Sequence, residues 1–364
     1  MSFNYIGSKK SLINFLDIPI SKIISSFNNN DNANKVQNYK ITMLDGFAGT
    51  GIVGFSFYNK YDNLKIISND LEYYSYIINY ALMCVPYTDN IKNMIEYINK
   101  KLENVKEKPD YDLVSKNYTL LGPDKRMFWT EENGKVCDYC IYLFDKLLNN
   151  NTITKSEYVF LYASLLSAMD KVANTASVYG AFLKSFKSSA KEKIKLSPIH
   201  ICNNNTLRNN KVFNNDINSD KILNQTYDIA YLDPPYNQRQ YSANYHPLNY
   251  IANYDSSLEI YGKTGLLKIS NKSKYSQKSN AFDTLKHLIT NLNAKHILLS
   301  YNNEGIIEFN KIKELLISQG KVILYKKLYK KFKSNEIQEN ENVYEYLFHL
   351  EKINNNSTYD EVIV

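Results

Sequence analysis

The chain has 364 residues, 44% hydrophobic and 22% charged, enough for a sizeable core and too apolar for a disordered chain. Lys plus Arg (44) exceed Asp plus Glu (37) by +7, a mild excess that permits a polyanionic partner without requiring one. No apolar run is long enough to span a bilayer, so no membrane partner is expected. The opening Met1-Ser2-Phe3-Asn4-Tyr5 lacks a basic segment before an apolar core, so no secretory leader is expected. Four cysteines cannot staple a chain of this length, which points to a reducing cytoplasm. The 32 Tyr, with abundant Asn, Lys and Ile, follow A/T-rich codon usage and carry no functional argument.

In chain order, residues 41–45 form a short apolar run that meets a Gly-rich turn at 46–51. A helix starts at 52–58, and a second strand at 64–70 ends on Asp70. Strand, Gly turn, helix, strand and acid together open a parallel α/β sheet. From 73 to about 200 the apolar spacing is three and four, as in 137–148 and 156–171, which predicts helices. A second α/β stretch starts near 211, with a strand at 227–232. Residues 253–280 read as a long Lys-bearing loop over the C-terminal sheet edge. A helix at 281–292, a strand at 296–301, a helix at 306–319 and a closing β-hairpin at 321–329 and 343–350 follow.

Two motifs carry chemistry. In Asp45-Gly46-Phe47-Ala48-Gly49-Thr50-Gly51 the glycines allow close backbone approach to a ligand, and Asp70, about twenty residues on, suits the two hydroxyls of a ribose. In Asp233-Pro234-Pro235-Tyr236 two prolines stop the strand and fix a rigid turn at the sheet's carboxyl edge, where open α/β sheets bind ligands. That turn presents a carboxylate, a carbonyl and an aromatic ring together. An exocyclic amine is a poor nucleophile, and two acceptors aimed at its hydrogens would hold its nitrogen toward tetrahedral geometry.

These motifs, in this order, resemble the S-adenosylmethionine-dependent DNA adenine-N6 methyltransferases of the Dam-type α group, as found in restriction-modification systems. Asn4-Tyr5-Ile6-Gly7-Ser8-Lys9-Lys10 is similar to the family's opening cofactor segment, with Tyr5 where Trp is more usual. The matched motifs frame 1–72 and 205–350, and the helical middle matches by position and by short phrases such as Asn174-Thr175. The resemblance implies a seven-stranded Rossmann-like α/β catalytic domain (1–72 and 205–364), with residues 73–204 as an inserted helical target-recognition domain. Asp233, Pro234, Pro235 and Tyr236 would be catalytic. Tyr5, Lys9, Asp45, Phe47, Gly49, Gly51, Asp70, Asp216 and Asp233 would hold S-adenosylmethionine. The partner would be double-stranded DNA; a cognate restriction endonuclease is a candidate partner that the sequence does not decide and the reaction does not physically require. The adenine would leave the duplex to reach the turn. Alternatives keep the fold and change the target to cytosine N4, RNA or a protein amide, or make the protein a silent nucleic-acid binder.

Lys184, Lys187, Lys191, Lys193 and Lys195, and Lys263 to Lys278 in the long loop, are candidate phosphate contacts. Cys137 and Cys140 form a lone C-x-x-C at helical spacing and read as packing, with no metal expected. Trp129 is expected to anchor the helical core, and His246 reads as structural. Tyr241 or Tyr245 is a candidate wall of the base pocket.

Overall fold

Three neighbouring parallel strands of the sheet are buried and mainly apolar on both faces, as parallel strands covered by helices must be. In the computed structural model, which describes residues 9–34, 40–103, 105, 109–202, 209–268, 272–329, 343–352 and 358–363, these are β1 (Ile41–Asp45), β2 (Leu64–Asn69) and β4 (Tyr227–Leu232). With β3 (Lys211–Phe213), β7 (Ala294–Asn302), β8 (Gly320–Tyr329), β9 (Val343–Lys352) and β10 (Tyr359–Ile363) they form an eight-stranded sheet. Its order is β3-β2-β1-β4-β7-β9-β8-β10. Every neighbouring pair is parallel except those of β9, which runs antiparallel between β7 and β8. The expected closing hairpin is thus β8 and β9. β10 is an eighth strand beyond the seven expected, and its mostly exposed side chains leave no periodic signal in the sequence. The chain steps outward from β1 to β3 and returns at β4 on the other side of β1. That reversal opens a crevice at the carboxyl ends of β1 and β4.

Helices cover both faces. On one, α11 (Ala281–Asn291) and α12 (Phe309–Ile317) pack with Leu44, Ala230, Leu232 and Leu299. On the other lie α1 (Ile13–Asn34), α2 (Ile52–Lys60), α3 (Tyr73–Cys84), α4 (Asp89–Leu102), α5 (Leu113–Tyr118), α6 (Glu131–Asn149) and α7 (Lys155–Lys171). Three shorter helices come later in the chain, namely α8 (Asp220–Leu223), α9 (Tyr241–Asn244) and α10 (His246–Asn253). Thr130 caps α6, and Thr154 with Glu157 forms a capping box on α7. One apolar cluster runs unbroken from Met43 and Ile66 of the sheet through Ile78 of α3 to Leu165 of α7. The helical middle therefore shares its core with the sheet. Among the described residues no helix is long and apolar enough to cross a membrane.

Trp129 is fully buried, and its Nε1 donates to the Met169 carbonyl at 2.9 Å. Tyr118, Phe128 and Tyr179 surround it. We expect Trp129→Ala to lower stability by about 3–5 kcal/mol, the range for emptying an aromatic site, read from the midpoint of urea unfolding. Cys137 and Cys140 lie buried on the packed face of α6, where burial pushes both thiols up.

The segment 253–280 is not a plain loop. Its first half folds into a ribbon, β5 (Ile260–Tyr261) with β6 (Leu266–Leu267), docked on the helical region. The buried Arg126 guanidinium donates to the carbonyls of Asn117, Gly262 and Lys263, and the Tyr118 hydroxyl donates to Gly265. His246 is buried with its ring nitrogens against the carbonyls of Ala243 and Thr264. Among the described residues of this segment, Lys272 to Tyr275 are those that line the crevice at the sheet edge.

Candidate active site

The Gly turn after β1 is held open by its own backbone. Gly49 (φ 52°) and Gly51 (φ 75°) sit in the left-handed region, where side chains are strained. The Gly49 amide donates to Asp70 Oδ2 at 2.7 Å, and its carbonyl accepts from Ser75 Oγ at 2.5 Å and Asn79 Nδ2 at 3.0 Å. The acid after β2 thus hooks the turn in place. Asp70 Oδ1 also accepts from the Glu72 amide at 2.9 Å, and burial raises the Asp70 pKa. Gly51 is set back from the crevice. A Cβ there would lie 2.7 Å from Asn79 Oδ1 and 2.9 Å from Leu82 Cδ1, so this glycine serves packing of the turn on α3. Asp45 Oδ2 accepts from the Gly54 amide at 3.0 Å in the first turn of α2, and burial pushes its pKa up to about 7.

Opposite, β4 delivers Asp233 to the same crevice. Register places Asp45 beside Tyr231, so the two motifs emerge on adjacent strands. Asp233 is 17% exposed, burial pushes its pKa up to about 6, and Lys9 opposes that rise. Lys9 Nζ stands 3.2 Å from Asp233 Oδ1 and 2.5 Å from Glu345 Oε1. Burial alone would push the Lys9 pKa down, but the two carboxylates hold it well above its ordinary value. Pro235 lines the crevice. Pro234 is buried behind it, and Tyr236 is half-buried, its ring edge-on to Tyr301 at 6.3 Å.

The crevice holds about 980 Å³ including its open mouth, and Lys9, Asp45, Phe47, Gly49, Asp216 and Tyr241 are among its walls. Phe47 meets Tyr275 edge-on at 5.1 Å, closing one end. Tyr245 is buried behind Tyr241, stacked on it at 6.2 Å, so of the two candidate tyrosines only Tyr241 lines the crevice. The Gln240 side-chain amide donates to and accepts from the Ser273 backbone, tying the 272–277 wall to the turn after β4. Tyr5 lies outside the described residues. Sequence reasoning missed Glu72, which lines the crevice, takes a bond from Asn249 Nδ2 and is pushed up to about 8 by burial. It also missed Glu345 on the far strand β9. The crevice therefore gathers four carboxylates whose pKa burial raises, Asp45, Asp70, Glu72 and Asp233, with the buried Lys9 beside the last of them. That donor set suits a ligand carrying positive charge, and a sulfonium carries one.

A parallel sheet reversed at β1 and β4, with a Gly turn and an Asp-Pro-Pro-Tyr turn facing one crevice, defines a Rossmann-like methyltransferase. The family of D12 class N6 adenine-specific DNA methyltransferases matches residues 5–315, and the chain belongs to it. It is a site-specific DNA methyltransferase acting on N6 of adenine. Among relatives, the Type II methyltransferase M.NlaIII of Neisseria lactamica is 39% identical over 96% of this chain and 99% of its own. M.CviAII, a Type II methyltransferase of Paramecium bursaria Chlorella virus 1, is 34% identical over 94% of this chain and 97% of its own. M.FokI of Planomicrobium okeanokoites is 36% identical over 96% of this chain, which spans 52% of that longer protein. Family membership sets aside the cytosine, RNA, protein-amide and silent-binder alternatives.

Proposed function

We propose that the crevice takes S-adenosylmethionine together with an adenine turned out of a DNA duplex. When bound, the cofactor supplies an activated methyl on a sulfonium. The observation that carries this reading is the meeting of Gly49, Asp70, Asp216 and Asp233 around one crevice. The Gly49 backbone and Lys9 would lie toward the methionine part, Asp70 toward the ribose and Asp216 toward the cofactor's adenine. The Asp233 carboxylate and Pro234 carbonyl accept the two hydrogens of the target amine and hold its lone pair toward the methyl. Tyr236 offers the base a stacking face, and Tyr241 bounds the site. Unstacking the base costs a few kcal/mol, which contacts of the helical region with the duplex offset.

Residues 73–204 would read the DNA. Lys184, Lys191, Lys193 and Lys195 are exposed there, whereas Lys187 is spent on the Thr175 carbonyl at 2.7 Å. Each lysine that meets a phosphate contributes about 0.9 to the slope of log K against log salt, so their joint replacement by Ala should flatten that slope. The protein would work in the cytoplasm, alongside a cognate restriction endonuclease. Methyl-tritiated cofactor and duplex DNA, followed by nucleoside analysis, test the reading. Label in N6-methyladenine is expected, and label absent from adenine overturns it.

A further inference from the structure

Beneath Asp233 lies a buried group that the reaction just described does not use. Glu345 projects from β9, which pairs with β7, which in turn pairs with β4. It is 8% exposed, and its Oε1 accepts from Ser300 Oγ at 2.7 Å and from Lys9 Nζ at 2.5 Å. The same ammonium makes only a longer ion-pair contact with Asp233 Oδ1, at 3.2 Å, and that oxygen meets no hydrogen-bond geometry among the described residues. One cation thus stands between two carboxylates and bonds to the remote one.

Resting on the reading of Asp233 as the amine's acceptor, we propose that Glu345 is a positioning residue for methyl transfer, holding Lys9 off Asp233 so that Oδ1 stays open to the substrate amine. An ammonium buried with a single carboxylate closes on it in a short charge-assisted bond. Without Glu345 that carboxylate is Asp233, and its acceptor lone pair is consumed before the base arrives. Ser300 fixes Glu345 by donating its only hydroxyl hydrogen. The arrangement keeps a net negative charge under the crevice while leaving the catalytic oxygen uncommitted.

Glu345→Gln keeps the shape and loses the charge. With full-length protein, S-adenosylmethionine and a duplex containing the methylated site, it should lower kcat by about tenfold or more, a fraction of the effect of deleting a transition-state contact. KM for both substrates should stay within about threefold, as expected when only transition-state interactions are lost. The decisive arm is a double-mutant cycle with Lys9→Met, with every kcat taken at saturating cofactor because Lys9 is also placed toward the methionine part. The loss caused by Glu345→Gln should largely vanish in the Lys9→Met background, which a merely structural glutamate would not allow. Wild-type kcat in Glu345→Gln, or an undiminished loss in the Lys9→Met background, overturns the inference. Ser300→Ala, which keeps the carboxylate and frees it, should show a milder fall in kcat. If Glu345→Gln does not fold, unchanged kcat in Ser300→Ala overturns the inference instead. Asp233→Asn separates the two levels. At wild-type rate it takes down the reading of Asp233 itself, whereas an inactive Asp233→Asn beside a normal Glu345→Gln removes only the role of Glu345.

Discussion

Asp233→Ala should slow methyl transfer by about 100- to 1,000-fold or more, the scale on which a preorganised polar contact to a transition state acts. The amine has two hydrogens, and the rigid turn offers two acceptors. The Pro234 carbonyl is backbone and survives any substitution, so the carboxylate is the half of the grip that mutation can remove. Without it one N–H faces a dry wall, and the nitrogen lone pair stays delocalised in the ring. The fold should tolerate the change. Asp233 is a carboxylate whose burial raises its pKa to about 6, so its loss relieves a desolvation penalty. Lys9 keeps Glu345 as its partner. The measurement is a single-turnover rate with saturating cofactor and duplex, beside a thermal unfolding scan. A near-normal rate with an unchanged melting midpoint would remove Asp233 from the chemistry.

What could be read from the chain follows from how local each signal is. β1, its Gly turn and the acid of Asp70 sit within one βαβ unit, and a strand stopped by two prolines announces its own end. Both are decisions made within a few residues. The shared core was invisible, because the spacing that predicts helices over 73–171 does not say what those helices pack on. The ribbon at 260–267 was invisible for a related reason. Its strands are two residues each, and their anchors, Arg126 and Tyr118, come from a distant part of the chain. Glu345 is the instructive omission. It shares a strand face with buried Leu347, half-buried His349 and Glu351, whereas the apolar alternation runs through Tyr346, Phe348 and Leu350 on the other face, so an acid there breaks no pattern and gives no signal. Its partners Lys9 and Ser300 reach it only through the sheet order.

Affinity for S-adenosylmethionine should rise about tenfold or more between pH 6 and pH 8, by proton linkage to the acids around the crevice. Burial pushes Asp233 up to about 6, Asp45 to about 7 and Glu72 to about 8. A raised pKa means that the protonated, neutral form persists toward neutrality. A sulfonium nearby favours the ionised form, so binding lowers these pKa values and releases protons. Below the raised pKa values that release must be driven against the solution, and binding weakens as pH falls. Well above pH 8 the acids are already ionised, and the dependence levels off. S-adenosylhomocysteine shares the adenosine and the amino-acid end but lacks the sulfonium charge, so its affinity should vary less over the same window. Calorimetric titrations of both ligands at pH 6, 7 and 8 separate the effect of that charge from general loss of structure. Equal pH dependence for the two would show that the carboxylates around Asp233 do not sense the methyl donor's charge, and the electrostatic fit argued for the crevice would fail.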